Sequence, residues 1–336
     1  MTFGIDLGTT SVAGVAVDAA GKVRASVTRA HGADLPKASP GVDEQDPDKL
    51  FAASQGVIES LTADVGQPDR IGWTGQMHGV VAVDEGLSPL TPFVTWRDAR
   101  RYGGVVMAQW HREGLSPKAR GLSPFKCLTA PGYVIAKMTG KCVIDPTFLE
   151  AWHIAEGTVP ASWLPEVVER SMLGDNQAGV YAAQVLMPGC AVVNLGTSGQ
   201  LSVVCEGVCP QERKAENVEI RRFVDGKSLL CRASLVGGQS LAALRERLGI
   251  SWEELNARAG TDPEVKACVD GIVEDLVGDI DLSGVTGLVG VGNALVRNPC
   301  LREAIERWFE RPCVIPEISE MAAYGAALMQ MDSINK

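Results

Sequence analysis

The sequence predicts an α/β fold built as two related lobes, and three observations carry that prediction. The chain begins Phe3-Gly-Ile-Asp-Leu-Gly-Thr-Thr-Ser11, and a close echo returns at Val193-Asn-Leu-Gly-Thr-Ser-Gly199. Each reads as a short apolar strand, a Gly-Thr-Thr/Ser turn and a second strand, over 12–17 and 200–204. After each hairpin, apolar strands alternate with amphipathic helices, the pattern of a layered α/β fold. The 336 residues, 46% of them hydrophobic, suffice for about two domains with substantial cores. A glycine turn between strands exposes backbone N–H groups that, with the adjacent hydroxyls, form a cradle for phosphate oxygens. Two such turns at corresponding points of two halves point to a duplicated architecture with a nucleotide cleft between the lobes.

Residues 1–35 predict the first hairpin and a third strand, with Ala20-Gly21 at the turn. A helix is predicted over 46–63. Asp46 caps it, Pro47 suits its first position, and Leu50, Ile58 and Leu61 share a face bordered by Phe51 and Val57. Arg70-Ile-Gly-Trp73 is a short strand running into Thr74-Gly-Gln-Met-His-Gly79, and 80–83 and 91–96 are further strands. Residues 98–113 and 125–138 read as helical. The Pro, Trp and Gly content of 140–175 predicts irregular structure with short helices. Gly174-Asp-Asn-Gln177 is a turn that opens a small-residue helix over 178–183. The lobes are expected to join near 184–190, giving an N-terminal lobe 1–187 and a C-terminal lobe 188–336.

The second half repeats the logic. Its hairpin spans 190–205, followed by a strand at 228–233 and a helix from Gln239. A helix over 262–276 has Asp262 as cap, Pro263 first, and Val265, Cys268, Val269, Ile272 and Leu276 facing inward. Residues 287–292 form a buried strand ending in glycines. Asn298-Pro299 opens a helix through Leu301, Ile305, Trp308 and Phe309. Residues 313–315 are a last strand, and Ser319 caps a last helix.

Composition narrows the function. The net charge of −10 leaves no basic excess to neutralise a nucleic-acid backbone. The nine cysteines, most of them inside apolar runs, predict reduced buried thiols, as expected in cytoplasm. Cys205 and Cys209 are the one close pair, and no second pair or His cluster joins them into a metal site. The N-terminus lacks the charged and apolar regions of a signal peptide, and no apolar run approaches the ~18 residues of a membrane span.

Two carboxylates stand out. Asp6 ends the first strand just before the glycine turn. A carboxylate beside a phosphate cradle is useful when a cation such as Mg²⁺ bridges them through its waters, so Asp6 is the candidate metal residue. The plain alternative is an Asp that caps its own turn. Asp175 lies at a turn before a helix, where it reads as an N-cap, as a general base taking the proton of an attacking hydroxyl, or as both. Met77 and His78 lie in a Gly-flanked loop after a strand, a position suited to ligand contact, although a lone His is more often a surface or packing residue. Trp96, Arg97 and Asp98 offer an aromatic face with a carboxylate, suited to a polyol; a capping Asp98 is the simpler alternative. Gly290, Gly292, Asn293 and the Gly325-Ala-Ala327 stretch allow close approach of a flat ligand such as adenine, or equally tight helix–strand packing. The string around Gly292 lacks the third glycine of a dinucleotide fingerprint, and no GxxxxGK[ST] loop is present.

Together these motifs resemble the FGGY family of carbohydrate kinases, which share the duplicated ribonuclease-H-like fold of actin, hexokinase and Hsp70. Gly4-Ile-Asp-Leu-Gly-Thr-Thr10 is similar to the first phosphate motif of that family, Gly75-Gln-Met-His-Gly79 to the sugar loop of xylulokinase-like members, and Thr95-Trp-Arg-Asp-Ala-Arg100 to the Trp-x-Asp-x-Arg element. Gly174-Asp-Asn-Gln177 resembles the catalytic-base segment, Asn194-Leu-Gly-Thr-Ser198 the second phosphate motif, and Gly290–Ala294 and Glu320–Ala327 the adenosine end. Strings at 218–223, 233–239 and 291–298 look most like sedoheptulokinases. The chain departs from the family in being shorter, in its compressed span between Asp98 and Asp175, and in the large side chains of Pro146-Thr-Phe-Leu-Glu-Ala-Trp152.

The resemblance implies a kinase that transfers a phosphoryl group from ATP, with Mg²⁺, to the terminal hydroxyl of a ketose such as sedoheptulose, xylulose or ribulose. It implies Asp175 as base, Asp6 toward the metal, and Met77, His78, Trp96, Asp98 and Asn176 on the sugar. It implies Gly8, Thr9, Thr10, Gly196, Thr197, Ser198, Gly290, Gly292 and Asn293 on ATP. The expected partners are these small molecules, with neither nucleic acid nor membrane; a homodimer is compatible. The alternative is a non-catalytic sugar- or nucleotide-binding protein on the same fold, against which the joint presence of Asp6 and Asp175 argues.

Overall fold

The computed structural model describes residues 1–115, 121–207, 218–234, 236–278, 280 and 282–332. The chain divides into two compact units, Met1–Ala182 with Glu320–Lys336, and Ala183–Ser319. In chain order the first unit holds β1 (Thr2–Leu7), β2 (Ser11–Val17), β3 (Val23–Ala30), β4 (Glu44–Gln45), α1 (Pro47–Val65), β5 (Arg70–Gly75), β6 (Val81–Val83) and β7 (Phe93–Val94). It continues through α2 (Gly103–Glu113), β8 (Lys126–Leu128), α3 (Ala130–Thr139), β9 (Val143–Ile144), α4 (Pro146–Ala151), β10 (Glu166–Val167), β11 (Leu173–Gly174) and α5 (Asp175–Leu186). The second unit holds β12 (Ala191–Leu195), β13 (Gly199–Cys205), β14 (Val218–Arg222), β15 (Ser228–Ser234), α6 (Gly238–Leu248), α7 (Trp252–Arg258) and α8 (Pro263–Val277). Then come β16 (Leu288–Val291), α9 (Asn293–Arg297), α10 (Pro299–Phe309) and β17 (Cys313–Val314); α11 (Met321–Asp332) returns to the first unit.

The duplication read from the two hairpins is present in the sheets. The first sheet is ordered β11-β5-β1-β2-β3, with β1, β2 and β3 antiparallel and β5 and β11 parallel to β1. The second is ordered β14-β15-β13-β12-β16-β17, with the same antiparallel trio β15-β13-β12 followed by parallel β16 and β17. Each unit buries its own apolar core, the first around Phe3, Ile5, Val57 and Leu61, the second around Leu201, Ile272, Leu288 and Ile305.

Local chemistry sets the boundaries. The Asp46 carboxylate accepts from the N–H groups of Asp48 and Lys49, and Pro47 follows, so α1 starts where its cap predicts. The helix expected over 98–113 starts only at Gly103. The Asp98 carboxylate turns back onto its own chain at Arg100, and Arg101 takes a positive φ of 62°, which ends regular geometry before the helix. Residues 126–128 form a strand rather than the start of a helix, and Thr129 caps α3 instead. The helix α7 was not foreseen, although Ser251 and Glu254 form a complete capping box, a legible signal. Trp308 is exposed, so the buried face of α10 is Cys300, Leu301, Ala304 and Ile305. Of the cysteine pair, Cys205 forms no disulfide among the described residues, and Cys209 lies outside them.

The last helix does not follow the expected division at 187/188. Its small residues pack on the first sheet: an added Cβ at Gly4 or Gly72 would collide with the α11 backbone at Ala323 and Ala326, and one at Gly325 with the carbonyl of Ala178. The Gly325-Ala-Ala327 stretch is therefore consumed by helix–sheet and helix–helix contact. Gly325→Ala is expected to destabilise the protein by about 3 kcal/mol, since two backbones must part; thermal melts check this.

Candidate active site

The candidate site lies at the carboxyl ends of β1, β5 and β11 in the first unit. Asp6 pairs with Thr74 across β1 and β5, and Thr74 pairs with Leu173 at the start of β11. Gly174 then delivers Asp175 as the first residue of α5. Sheet register alone thus brings together acidic residues 169 positions apart in sequence.

Their proximity is electrostatic as well as topological. Burial, and then the charges of Asp175 and Glu320, push the Asp6 carboxyl up to about 8 from its usual 3.8. Glu320 precedes α11 and accepts a hydrogen bond from the Thr28 hydroxyl at 3.0 Å. The Oδ1 of Asp6 is buried without a hydrogen-bond partner. So are Oγ1 of Thr74, Oε1 of Gln76 and both amide atoms of Gln177, whose side chain is 0% exposed. A knot of buried polar atoms left unsatisfied at one sheet end marks a place built for something polar. An orphaned carboxylate oxygen facing two further acids fits a divalent cation held through water. Among the described residues no three His, Cys, Asp or Glu side chains group closely enough to cage a metal directly.

The glycine turn beside Asp6 is held from behind. The Thr9 carbonyl accepts from Nε2 of Gln45 at 2.8 Å and from the ring of His31 at 3.0 Å, while its hydroxyl accepts from the indole of Trp96 at 3.0 Å. His31 accepts from the Ala33 N–H at Nδ1, which assigns its proton to Nε2; burial lowers its pKa and keeps it neutral. No hydrogen bond among the described residues uses the N–H groups of Thr9 or Thr10, which suits them to phosphate oxygens. In the second unit the Gly196 and Thr197 carbonyls accept from Gly238 and Gln239 at the start of α6. Gly237 and Gly238 allow that approach, since a Cβ at either would strike the turn. Gly292, at φ 91°, lies against Leu195 in the same unit, ahead of Asn293. Gly290 is filled around by Leu295, Ile315 and Cys313, a packing role.

Of the candidate sugar residues, Trp96 is 47% exposed, its ring presented and its N–H anchored. His78 has a positive φ of 70°, donates from Nδ1 to the Ala151 carbonyl at 2.7 Å, and meets the Tyr102 ring edge-on at 5.3 Å. His153, also at positive φ, stacks with His78 at 6.3 Å and lies tilted against Tyr102 at 4.3 Å. Two non-glycine residues in the left-handed region at one spot indicate a functional constraint. Tyr102 and His153 were not candidates in the sequence, because nothing local distinguishes them. Met77 is buried, its sulfur packed against Gly174. Asn176 donates its N–H to Asp175 Oδ1 at 2.7 Å. Asp98 is 2% exposed and clamped by Arg100 through both oxygens, at 2.6 and 2.9 Å, and also accepts from the Asp43 N–H. Burial opposes its charge, but the Arg100 and Asp43 donors outweigh it and hold the carboxyl below the usual range. The helix α2 that follows is capped at Tyr102 without a side-chain hydrogen bond, so Asp98 is not its cap; its oxygens are taken up by Arg100 and Asp43.

Residues 1–138 match the N-terminal domain of the FGGY family of carbohydrate kinases. The first 138 residues are thus similar to an FGGY N-terminal domain. A xylulose kinase from Staphylococcus epidermidis is 38% identical over 104 residues, covering 30% of this chain and 21% of the relative. A xylulose kinase from Klebsiella pneumoniae is 25% identical over 276 residues, covering 64% of this chain and 56% of the relative. A gluconokinase from Bacillus licheniformis is 38% identical over 106 residues, 30% of this chain and 20% of that protein. The chain thus spans between about a fifth and just over half of these curated relatives. The fold of the whole chain resembles a solved Brucella ovis xylulose kinase, with TM-score 0.85 at 19% identity, over 99% of this chain and 90% of that one. A gluconate kinase from Lactobacillus acidophilus gives TM-score 0.84 at 17% identity, over 100% and 90%. Both units accordingly have the ribonuclease-H-like lobe fold of FGGY kinases. No helix among the described residues is long and apolar enough to cross a membrane.

Proposed function

We propose that this protein phosphorylates the terminal hydroxyl of a ketose with ATP. The observation that carries the reading is the convergence of Asp6 and Asp175 at one sheet end, with an orphaned Asp6 oxygen beside the open N–H groups of Thr9 and Thr10. Asp175 acts as general base, taking the proton of the acceptor hydroxyl as it attacks the γ-phosphorus. Its place at the first turn of α5 holds the carboxylate at a fixed position. Asp6 would hold the cation, which when bound neutralises phosphate charge and relieves repulsion among the three acids. Thr9 and Thr10 donate backbone N–H groups to phosphate oxygens; Gly8 leaves the approach open. Gly196, Thr197, Ser198, Gly292 and Asn293 of the second unit would serve the rest of ATP. Trp96 stacks on the sugar ring or chain, and His78, backed by Tyr102 and His153, lies against a sugar hydroxyl.

The xylulose kinases and gluconokinase above favour D-xylulose or a related sugar, and the strings at 218–223 and 233–239 keep sedoheptulose in view. A coupled ADP-release assay with D-xylulose, D-ribulose, sedoheptulose and D-gluconate tests the reading. Sugar-dependent ADP formation with at least one ketose is expected; binding without ADP formation for all of them would favour the binding-protein alternative.

A further inference from the structure

We infer that Gln45 is a positioning residue that links the sugar loop to the phosphate turn. This rests on the kinase reading for its ligands but not for its geometry. Gln76 belongs to the Gly75–Gly79 loop and donates through Nε2 to the Gln45 amide oxygen at 2.9 Å. Gln45 spends its two amide hydrogens on the Thr9 carbonyl and the Asp34 carboxylate, each at 2.8 Å. Gln45 is 0% exposed and Gln76 1%, so water cannot substitute for either amide.

The relay is fixed at its middle and tensioned at both ends. Gln45 closes β4, pairs with Phe93 in β7, and precedes the Asp46 cap of α1, so its backbone is tied on both sides. Asp34 is held in turn by Arg97, which also binds Asp43. At the far end, Thr9 carries three side-chain bonds, from Gln45, His31 and Trp96. At the near end, the Gln76 N–H bonds the Leu7 carbonyl while its Oε1 has no partner. A ligand that moves the His78 loop must move Gln76, and Gln76 reaches Thr9 through one amide. An amide is required here because it alone accepts from Gln76 and donates to Thr9 and Asp34 at once.

The test uses Gln45→Met, which keeps volume and loses the bonds, Gln45→Glu, which keeps only the acceptor toward Gln76, and Gln76→Met at the other end. Affinity for ADP is measured calorimetrically with and without D-xylulose. The wild type is expected to show a coupling of about fivefold or more between the two ligands. In all three variants that factor falls to within about twofold of unity, while each ligand alone still binds. Retained coupling in the variants, or none in the wild type, overturns the relay. Wild type that binds neither ligand refutes the kinase reading instead. Hydrogen exchange on the unliganded protein then decides the relay: faster exchange across 9–11 in Gln45→Met supports it, and unchanged exchange with a normal melt overturns it.

Discussion

Asp175→Asn is expected to reduce kcat for the proposed ketose phosphorylation by about a thousandfold, the scale of a lost general base. The asparagine keeps the shape and the helix-start position of Asp175, so the local hydrogen bond to the Asn176 N–H persists. It also removes one of the charges that oppose ionisation of Asp6. Binding of sugar and ATP is therefore preserved or slightly improved while turnover collapses. Steady-state kinetics beside equilibrium binding separates the two. A variant with near-normal kcat would remove Asp175 from the proton-transfer role.

Asp6→Asn has the second large effect, and it is visible in stability as well as activity. In the folded protein the Asp6 carboxyl titrates near 8, whereas the unfolded chain has the usual value of 3.8. Between those values the native state holds a proton that the unfolded state has released. Stability from this group is thus complete below about pH 4 and drains away as pH rises toward 8. At about 1.4 kcal/mol per unit, the separation bounds the loss at roughly 6 kcal/mol. Asn cannot ionise, so the variant should melt at higher temperature than wild type at pH 9 and show little difference at pH 4. Added Mg²⁺ should raise the wild-type melting temperature at pH 9 and leave Asp6→Asn unmoved, while kinase activity of the variant is lost. A pH-independent difference between the two melting curves would contradict this account of Asp6.

Much of this was legible in the chain because local patterns encoded it. The two Gly-Thr turns predicted the duplicated sheets, whose strand orders match outside the extra β14. Asp46-Pro47 and Asp262-Pro263 predicted helix starts through caps that the structure contains. What was not legible depended on distant packing. Gly325 reads equally as a ligand-approach site or a contact, and only the Ala178 carbonyl decides for contact. Asp98 resembles a sugar residue in its motif, yet Arg100 and Asp43 occupy its oxygens. Gln45 and His31 carry no local signature, and Glu320 was legible only as part of the Glu320–Ala327 string; they matter because the fold places them on Thr9 and near Asp6. Cap chemistry and glycine turns act within a few residues, whereas a relay assembled from the β1–β2 turn, β4 and the sugar loop exists only after folding.

The most direct measurement is the titration of the Asp6 side-chain carboxyl by carbon-detected NMR, in wild type and in Asp175→Asn. Convergence of the two acids requires a value near 8 in the wild type and a clear fall once Asp175 loses its charge. A wild-type value near 4, or one that ignores the change at 175, would show that the two carboxylates do not share a site.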